Sequence, residues 1–321
     1  MLPEFSHFLL PPLLSDLQKA VENGPVIIVN ASRYSCDALI ILSVQVPVHV
    51  SQLSSEFQSL INRADSSDHQ LESHKLVAVL RKLWDGVVGS CIWWCPTAEF
   101  TLLPLHAAGP YQPNSHAFSH FYISSYGPTL ATLIRARRQV SRHASVQHFV
   151  AIGQANPSGG KELRCVAAEL DIVAQRVALP VLYLYLACHG MPNRKQPFES
   201  SFTMHDGPLM TKDIMRTRLQ GPKFALLLAC YTTVGDELSP DEAIHLAAAM
   251  QFSGFRSIIG SMWPVDDGVA GQIVSLFYDN VVDDSGRLDC RRAAGALHKA
   301  VKTSRKNIPF EQQILFVHIG V

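Results

Sequence analysis

The chain has 321 residues, 47% hydrophobic and 17% charged, which leaves ample material for a buried core and excludes a disordered chain. Twenty-seven basic residues balance twenty-seven acidic ones. That balance argues against a general nucleic-acid or acidic-membrane binder, because both need an excess of positive charge.

The N-terminus opens on Met1, Pro3 and Glu4 without a charged-then-apolar leader. No apolar run reaches the roughly 18 residues of a membrane span. Seven cysteines, an odd number, suit free thiols in a reducing compartment. These features predict a soluble, cytoplasmic protein. Asn30-Ala31-Ser32 matches a glycosylation pattern without meaning in that setting. The short basic clusters Arg135–Arg138 and Arg291-Arg292 read as solvated helix faces.

Taken in chain order, strands are predicted at residues 26–29, 38–44, 101–105, 120–124, 148–153, 181–187, 224–229 and 256–261. Helices are predicted at 53–61, 75–88, 129–138, 161–177, 241–251, 268–281 and 290–303, with a crossover helix around 211–219. The strand runs are continuously apolar rather than alternating, as expected when both faces of a parallel sheet are covered. From His148 onward strand and helix alternate, which predicts a doubly wound α/β unit. Residues 64–69 read as a polar loop, and 114–119 and 141–145 as internal breaks. The second break divides an N-terminal α/β portion, 1–145, from an α/β core, 146–321. No internal repeat is present.

Two strand ends carry chemistry. The run Leu182–Ala187 ends in Cys188-His189-Gly190, and Ala225–Ala229 ends in Cys230-Tyr231-Thr232-Thr233. Functional groups gather outside the carboxyl ends of parallel strands, so a His and a Cys at neighbouring strand ends would share one rim. A thiol near pKa ~8.5 is little ionised at neutral pH, and an adjacent imidazole draws off its proton. The thiolate then attacks a peptide carbonyl, and the imidazolium protonates the leaving amine. The N–H groups of Gly190 and Cys230 are the natural oxyanion donors. From pattern alone a plainer reading stands beside this one. A Cys ending an apolar strand often only packs, and a lone His often only satisfies a backbone group.

The sequence also resembles the CHAT family, relatives of caspases and separases. The resemblance rests on Leu186-Ala187-Cys188-His189-Gly190, Leu228-Ala229-Cys230-Tyr231-Thr232-Thr233, Pro240–Ala247 and Gly254–Trp263. Leu103–Ala108 and Asn30-Ala31-Ser32 extend it to the N-terminal half, and closely similar domains end fungal tetratricopeptide-repeat proteins. The resemblance implies a caspase-like, mostly parallel sheet with helices on both faces plus an N-terminal α/β portion. It also implies a His189–Cys230 dyad, peptidase activity on a protein substrate, and no cofactor. The separation of 230 − 189 = 41 residues is near the roughly 50 by which His precedes Cys in caspases.

Three departures accompany it. No repeat array precedes the domain. Tyr185 stands where relatives often have another His. The relatives also carry an extra strand and helix between helix 161–177 and the His strand, here joined by Ala178-Leu179-Pro180. Without that unit, a right-handed crossover must carry the helix over the opposite sheet face, and strand 148–153 gains an exposed edge. The gap reads as a deletion or a mis-joined coding sequence.

Weaker candidates remain. The loop Gln154–Lys161 lacks Walker A spacing and reads as a plain strand-to-helix loop. Cys91 and Cys95 lack a matching ligand pair, and zinc between Cys188, His189 and Cys230 would need adjacent strand residues to face one way. Trp93, Trp94 and Trp263 read as core. Asp236, Glu237 and Asp241 read as loop and helix-start charges, with a pocket for a basic side chain as the alternative. The leading function is a cysteine endopeptidase; a non-catalytic protein-interaction module or remnant is the alternative, and a thiol-dependent acyl transferase or amidase a third. The partners expected are a protein substrate or regulatory protein.

Overall fold

A computed structural model describes residues 17–21, 24–31, 36–41, 91–110, 116–138, 149–155, 163–176, 183–191, 193, 196–216, 224–228, 246–284 and 286–321. The N-terminal part supplies β1 (Val26–Ala31), β2 (Cys36–Ile41), β3 (Cys91–Pro96), β4 (Ile123–Tyr126) and helix α1 (Leu130–Arg138). Then follow β5 (Phe149–Gly153), α2 (Val166–Arg176), β6 (Tyr183–Ala187) and β7 (Gly190–Met191). The hairpin β8 (Ser201–Met204) and β9 (Gly207–Met210) leads into α3 (Thr211–Arg216) and β10 (Phe224–Leu228). The chain continues through α4 (Leu246–Phe252), β11 (Ser257–Ser261), α5 (Asp267–Val281), α6 (Ala293–Ser304) and β12 (Phe316–Gly320). The helices predicted at 53–61 and 75–88 lie outside the described residues.

One nine-stranded sheet runs in the order β2-β1-β3-β4-β12-β11-β10-β6-β5, and β7-β8-β9 form a small separate sheet. β5, β6, β10 and β11 are parallel to one another, while β12 is antiparallel to β11. β12 pairs parallel with β4 through the single register pair Ile319–Tyr126. The expected caspase-like α/β architecture, mostly parallel with helices on both faces, is therefore present.

Alternation along β6 and β10 defines the two faces. Tyr185, Ala187, Phe224 and Leu226 point into a cluster with Phe277, Tyr278, Ala296 and Leu297 of α5 and α6. Leu186, Ala225 and Leu227 point the other way, against Ile214 of α3 and Leu246 and Met250 of α4. A third cluster packs Leu133 and Ile134 of α1 with Val26, Trp93 and Cys95.

These faces decide the handedness of the crossovers. The steps β5 to β6, β6 to β10 and β10 to β11 all move in one direction across the sheet. α3 and α4 cover one face during the latter two steps, whereas Val166 and Val173 of α2 lie with α5 and α6 on the other. The β5-α2-β6 connection therefore has the opposite hand to its two successors. Because right-handed crossovers are the rule, it is the left-handed one. This corrects the expectation that the handedness rule would move the helix to the opposite face.

Local packing explains the outcome. Gly153 lets α2 sit directly on β5, where a Cβ would overlap Val166 and Leu170. Arg176 then clamps α2 to α5 through Asp279 at 2.7 Å. Among the described residues the expected edge is observed, since β5 ends the sheet and Ala151 is exposed.

Other departures from expectation have local causes. The apolar run at 101–105 is not a strand. Its residues fall in or beside 3-10 turns at Ala98–Leu102 and Leu105–Ala107, with Leu103 exposed, because Pro104 has no N–H for a ladder. β4 starts three residues later than predicted, after the 3-10 turn Phe118–His120. β3, β8, β9 and β12 were not anticipated. Arg137, expected on a solvated face, is buried over the Trp93 ring at 4.7 Å and donates to the Ala20 carbonyl. Among the described residues, no helix is long and apolar enough to cross a membrane.

Candidate functional site

β6 and β10 are adjacent and parallel, with Ala187 directly beside Leu228. His189 lies two residues beyond Ala187, and Cys230 two residues beyond Leu228. Neighbouring strands run about 4.8 Å apart, so β6 and β10 end side by side at one rim. Ala187 and Leu228 point into the same cluster. Cys230 itself lies outside the described residues, as do Asp236, Glu237 and Asp241.

His189 is half-buried, immediately before β7. Its carbonyl accepts a hydrogen bond from the Thr203 N–H at 2.8 Å, so the β8–β9 hairpin holds the chain just past the rim. That bond makes Gly190–Phe202 a non-hydrogen-bonded pair of the small antiparallel ladder. The Gly190 N–H consequently points away from β8 and is not consumed by the ladder. Cys188 turns inward and is buried in the α3–α4 face. Adjacent Cys188 and His189 thus diverge.

The hairpin was missed from the sequence, although Asp206-Gly207 is a turn signal and Gly207 has a φ of +129°.

Beneath the rim, Tyr185 is fully buried and its O–H donates to the Glu169 carboxylate on α2. Burial pushes the Glu169 carboxyl up, the Tyr185 hydrogen bond opposes this, and nearby Asp267 adds to it. Burial likewise raises the Tyr185 hydroxyl, reinforced by Glu169. The Cys165 N–H donates to Asp267 Oδ2 at 3.0 Å, fastening the start of α2 to the start of α5. Tyr185 therefore anchors a helix from beneath the sheet. Nothing in a β-strand pattern pointed to Glu169 as its partner.

The loop after β11 completes the rim. Trp263 packs against both major clusters, and the Met262 N–H donates to the Leu315 carbonyl at 3.0 Å. Asp266 Oδ1 caps α5 by accepting from the Gly268 and Val269 N–H groups at 3.0 and 3.1 Å. Trp93 and Trp94 are buried core residues. Cys91 and Cys95 sit on β3; burial raises both thiols, Cys95 to about 12.

Residues 178–313 match the family model for the CHAT domain. The fold is similar to that of separase in a crystal structure of the Saccharomyces cerevisiae separase–securin complex, with a TM-score of 0.52 at 10% identity. The match covers 80% of this chain and 17% of that one, so the chain spans about a sixth of the separase it resembles. A second structure of the same complex gives 0.49 at 12% identity, over 80% of this chain and 18% of that one. The Arg-specific cysteine proteinase gingipain R gives 0.47 at 10% identity, over 86% and 68%. No curated protein matches the sequence.

Proposed function

We propose that this chain, whose residues 178–313 match the CHAT-domain model, is a cysteine endopeptidase with Cys230 as nucleophile and His189 as general base and acid. The observation that supports the reading is the pairing of Ala187 with Leu228 at the ends of adjacent parallel strands, with His189 and Cys230 each two residues further on in the sequence. On this reading His189 takes the thiol proton, and the thiolate adds to the scissile carbonyl. The N–H groups of Gly190 and Cys230 hold the oxyanion. The imidazolium gives its proton to the departing amine, leaving an acyl-enzyme that water hydrolyses with His189 again as base. No step needs a cofactor, and a reducing cytoplasm suits the thiol.

A protein substrate or regulatory partner is proposed by analogy with separase, which was solved as a complex with securin. Residues 146–321 would form the catalytic core and 1–145 the portion packed against it.

One observation favours a second reading as a non-catalytic interaction module. Among the described residues β5 is an edge strand of the sheet, as the missing strand–helix unit predicts, and an open edge suits pairing with another chain. Iodoacetamide labelling of Cys230 across pH, in wild type and His189→Ala, separates the two. A peptidase dyad labels below about pH 7 and loses that reactivity in the variant. Labelling that sets in only near pH ~8.5 in both proteins sinks the peptidase and leaves the module.

A further inference from the structure

Three strands from β10, the sheet opens. β4 and β12 touch through one register pair, Ile319–Tyr126. A cavity of about 160 Å3 lies between these strands, the 3-10 turns before β4, and α6. Neither His189 nor Gly190 lines it.

Its chemistry is asymmetric. The wall is apolar, with Leu297 of α6 and Phe316 of β12 among its members, whereas the mouth is basic. Arg305 donates to Ser119 Oγ at 2.8 Å, and its other terminal nitrogen sits 3.1 Å from His120 Nε2. Nδ1 of His120 accepts from the Ala117 N–H at 3.1 Å, which fixes the ring at the start of the turn. These contacts hold the guanidinium at the opening. Among the described residues, no carboxylate side chain lines the cavity.

Half-buried His298 reports the same field. Burial lowers its pKa first, and the positive charges of Lys302 and Arg305 lower it further. Deeper inside, His106 Nδ1 lies 2.8 Å from the Tyr126 hydroxyl.

We propose that this cavity binds a small free organic carboxylate whose apolar body is about the size of a benzene ring, the volume a cavity of ~150 Å3 accepts. The carboxylate meets Arg305 at the mouth, and the ring lies against Leu297 and Phe316. Guanidinium recognises carboxylate through paired charge-assisted hydrogen bonds, so the charge and the apolar body contribute separately. The site is distinct from the His189 rim and stands whether or not the chain is a peptidase.

Calorimetric titration of the full chain tests this with benzoate, its neutral isostere benzamide, and inorganic phosphate. Benzoate should bind saturably at one site, benzamide about tenfold or more weakly, and phosphate not at all. Arg305→Gln should weaken benzoate by about tenfold. Ala294→Leu, which fills the cavity from α6, should abolish binding while leaving the circular dichroism unchanged. The proposal is overturned if benzoate shows no saturable binding at millimolar concentration, if benzamide binds equally, or if the Ala294→Leu protein folds and binds as wild type.

Discussion

One buried histidine, one half-buried histidine and one glycine hold the join between the halves of the sheet. His318 lies between the Ser125 and Ser257 hydroxyls, each at 2.8 Å, and burial lowers its pKa to about 3. Burial lowers His106 to about 4, with the Ile314 carbonyl acting in the opposite sense. Both values fall below the ordinary 6.5, so beneath that pH the unfolded chain binds more protons than the folded one. Stability should therefore be intact above pH 6.5 and decline as pH falls toward 4 and 3. Each histidine adds a slope of about 1.4 kcal/mol per pH unit in its window. Urea midpoints from pH 7 to pH 4 check this, and His318→Gln should flatten the curve. An unchanged slope in that variant would remove His318 from the account.

Gly320 has a φ of +106°, and a Cβ there would overlap the Arg256 carbonyl oxygen. Its own carbonyl accepts from Trp93 Nε1 at 2.7 Å. Gly320→Ala should cost about 3 kcal/mol, read as a lower urea midpoint with unchanged m-value.

At the scale of elements, two features stand out: the edge of β5 and the start of α5. β5 is uncharged, free of proline, and among the described strands bordered by β6 alone, which makes it a template for pairing with another chain. Ala151 is exposed on it, so Ala151→Lys should reduce self-association without loss of helicity. Light scattering against concentration decides, and equal scattering by the two proteins would mean that the edge is already protected. The Asp266 cap of α5 accepts two N–H groups, and Asp266→Ala should cost about 1 kcal/mol. A thermal midpoint unchanged in that variant would show the cap to be dispensable.

The hand of β5-α2-β6 belongs to this scale as well. Sequence reasoning from crossover handedness moved α2 to the other face. Gly153, the Glu169–Tyr185 bond and the Arg176–Asp279 pair keep it beside α5. Several specific contacts outweigh a general preference that reflects only how a twisted strand feeds a helix.

Across the whole molecule, strands on both sides of residue 145 share one sheet through β4 and β12. Trp93 on β3 and Arg256 before β11 meet at Gly320 and Val321 of the C-terminal segment. Denaturation should accordingly follow one transition, with tryptophan fluorescence and far-ultraviolet circular dichroism coinciding in urea. Separated transitions would show that the N-terminal portion unfolds independently.

The α/β class and the parallel core strands β5, β6, β10 and β11, with His189 just beyond the end of β6, were legible from residue order. Strands buried on both faces leave continuous apolar runs, and those runs end where the chain turns polar. The CHAT resemblance was legible for the same reason, since its motifs sit at those ends.

Other features depended on residues far apart in the chain. β12 is a five-residue strand inserted antiparallel beside β11, and a short apolar run cannot announce its neighbours. Arg137 looks like a surface cation until Trp93 and Ala20 close over it. The cavity beside Arg305 exists because β4 and β12 diverge after one pairing, and no local periodicity encodes that divergence. Periodicity describes a segment's own faces, whereas strand order, crossover hand and empty space are set by contacts between segments, which is why only the tertiary structure decided them.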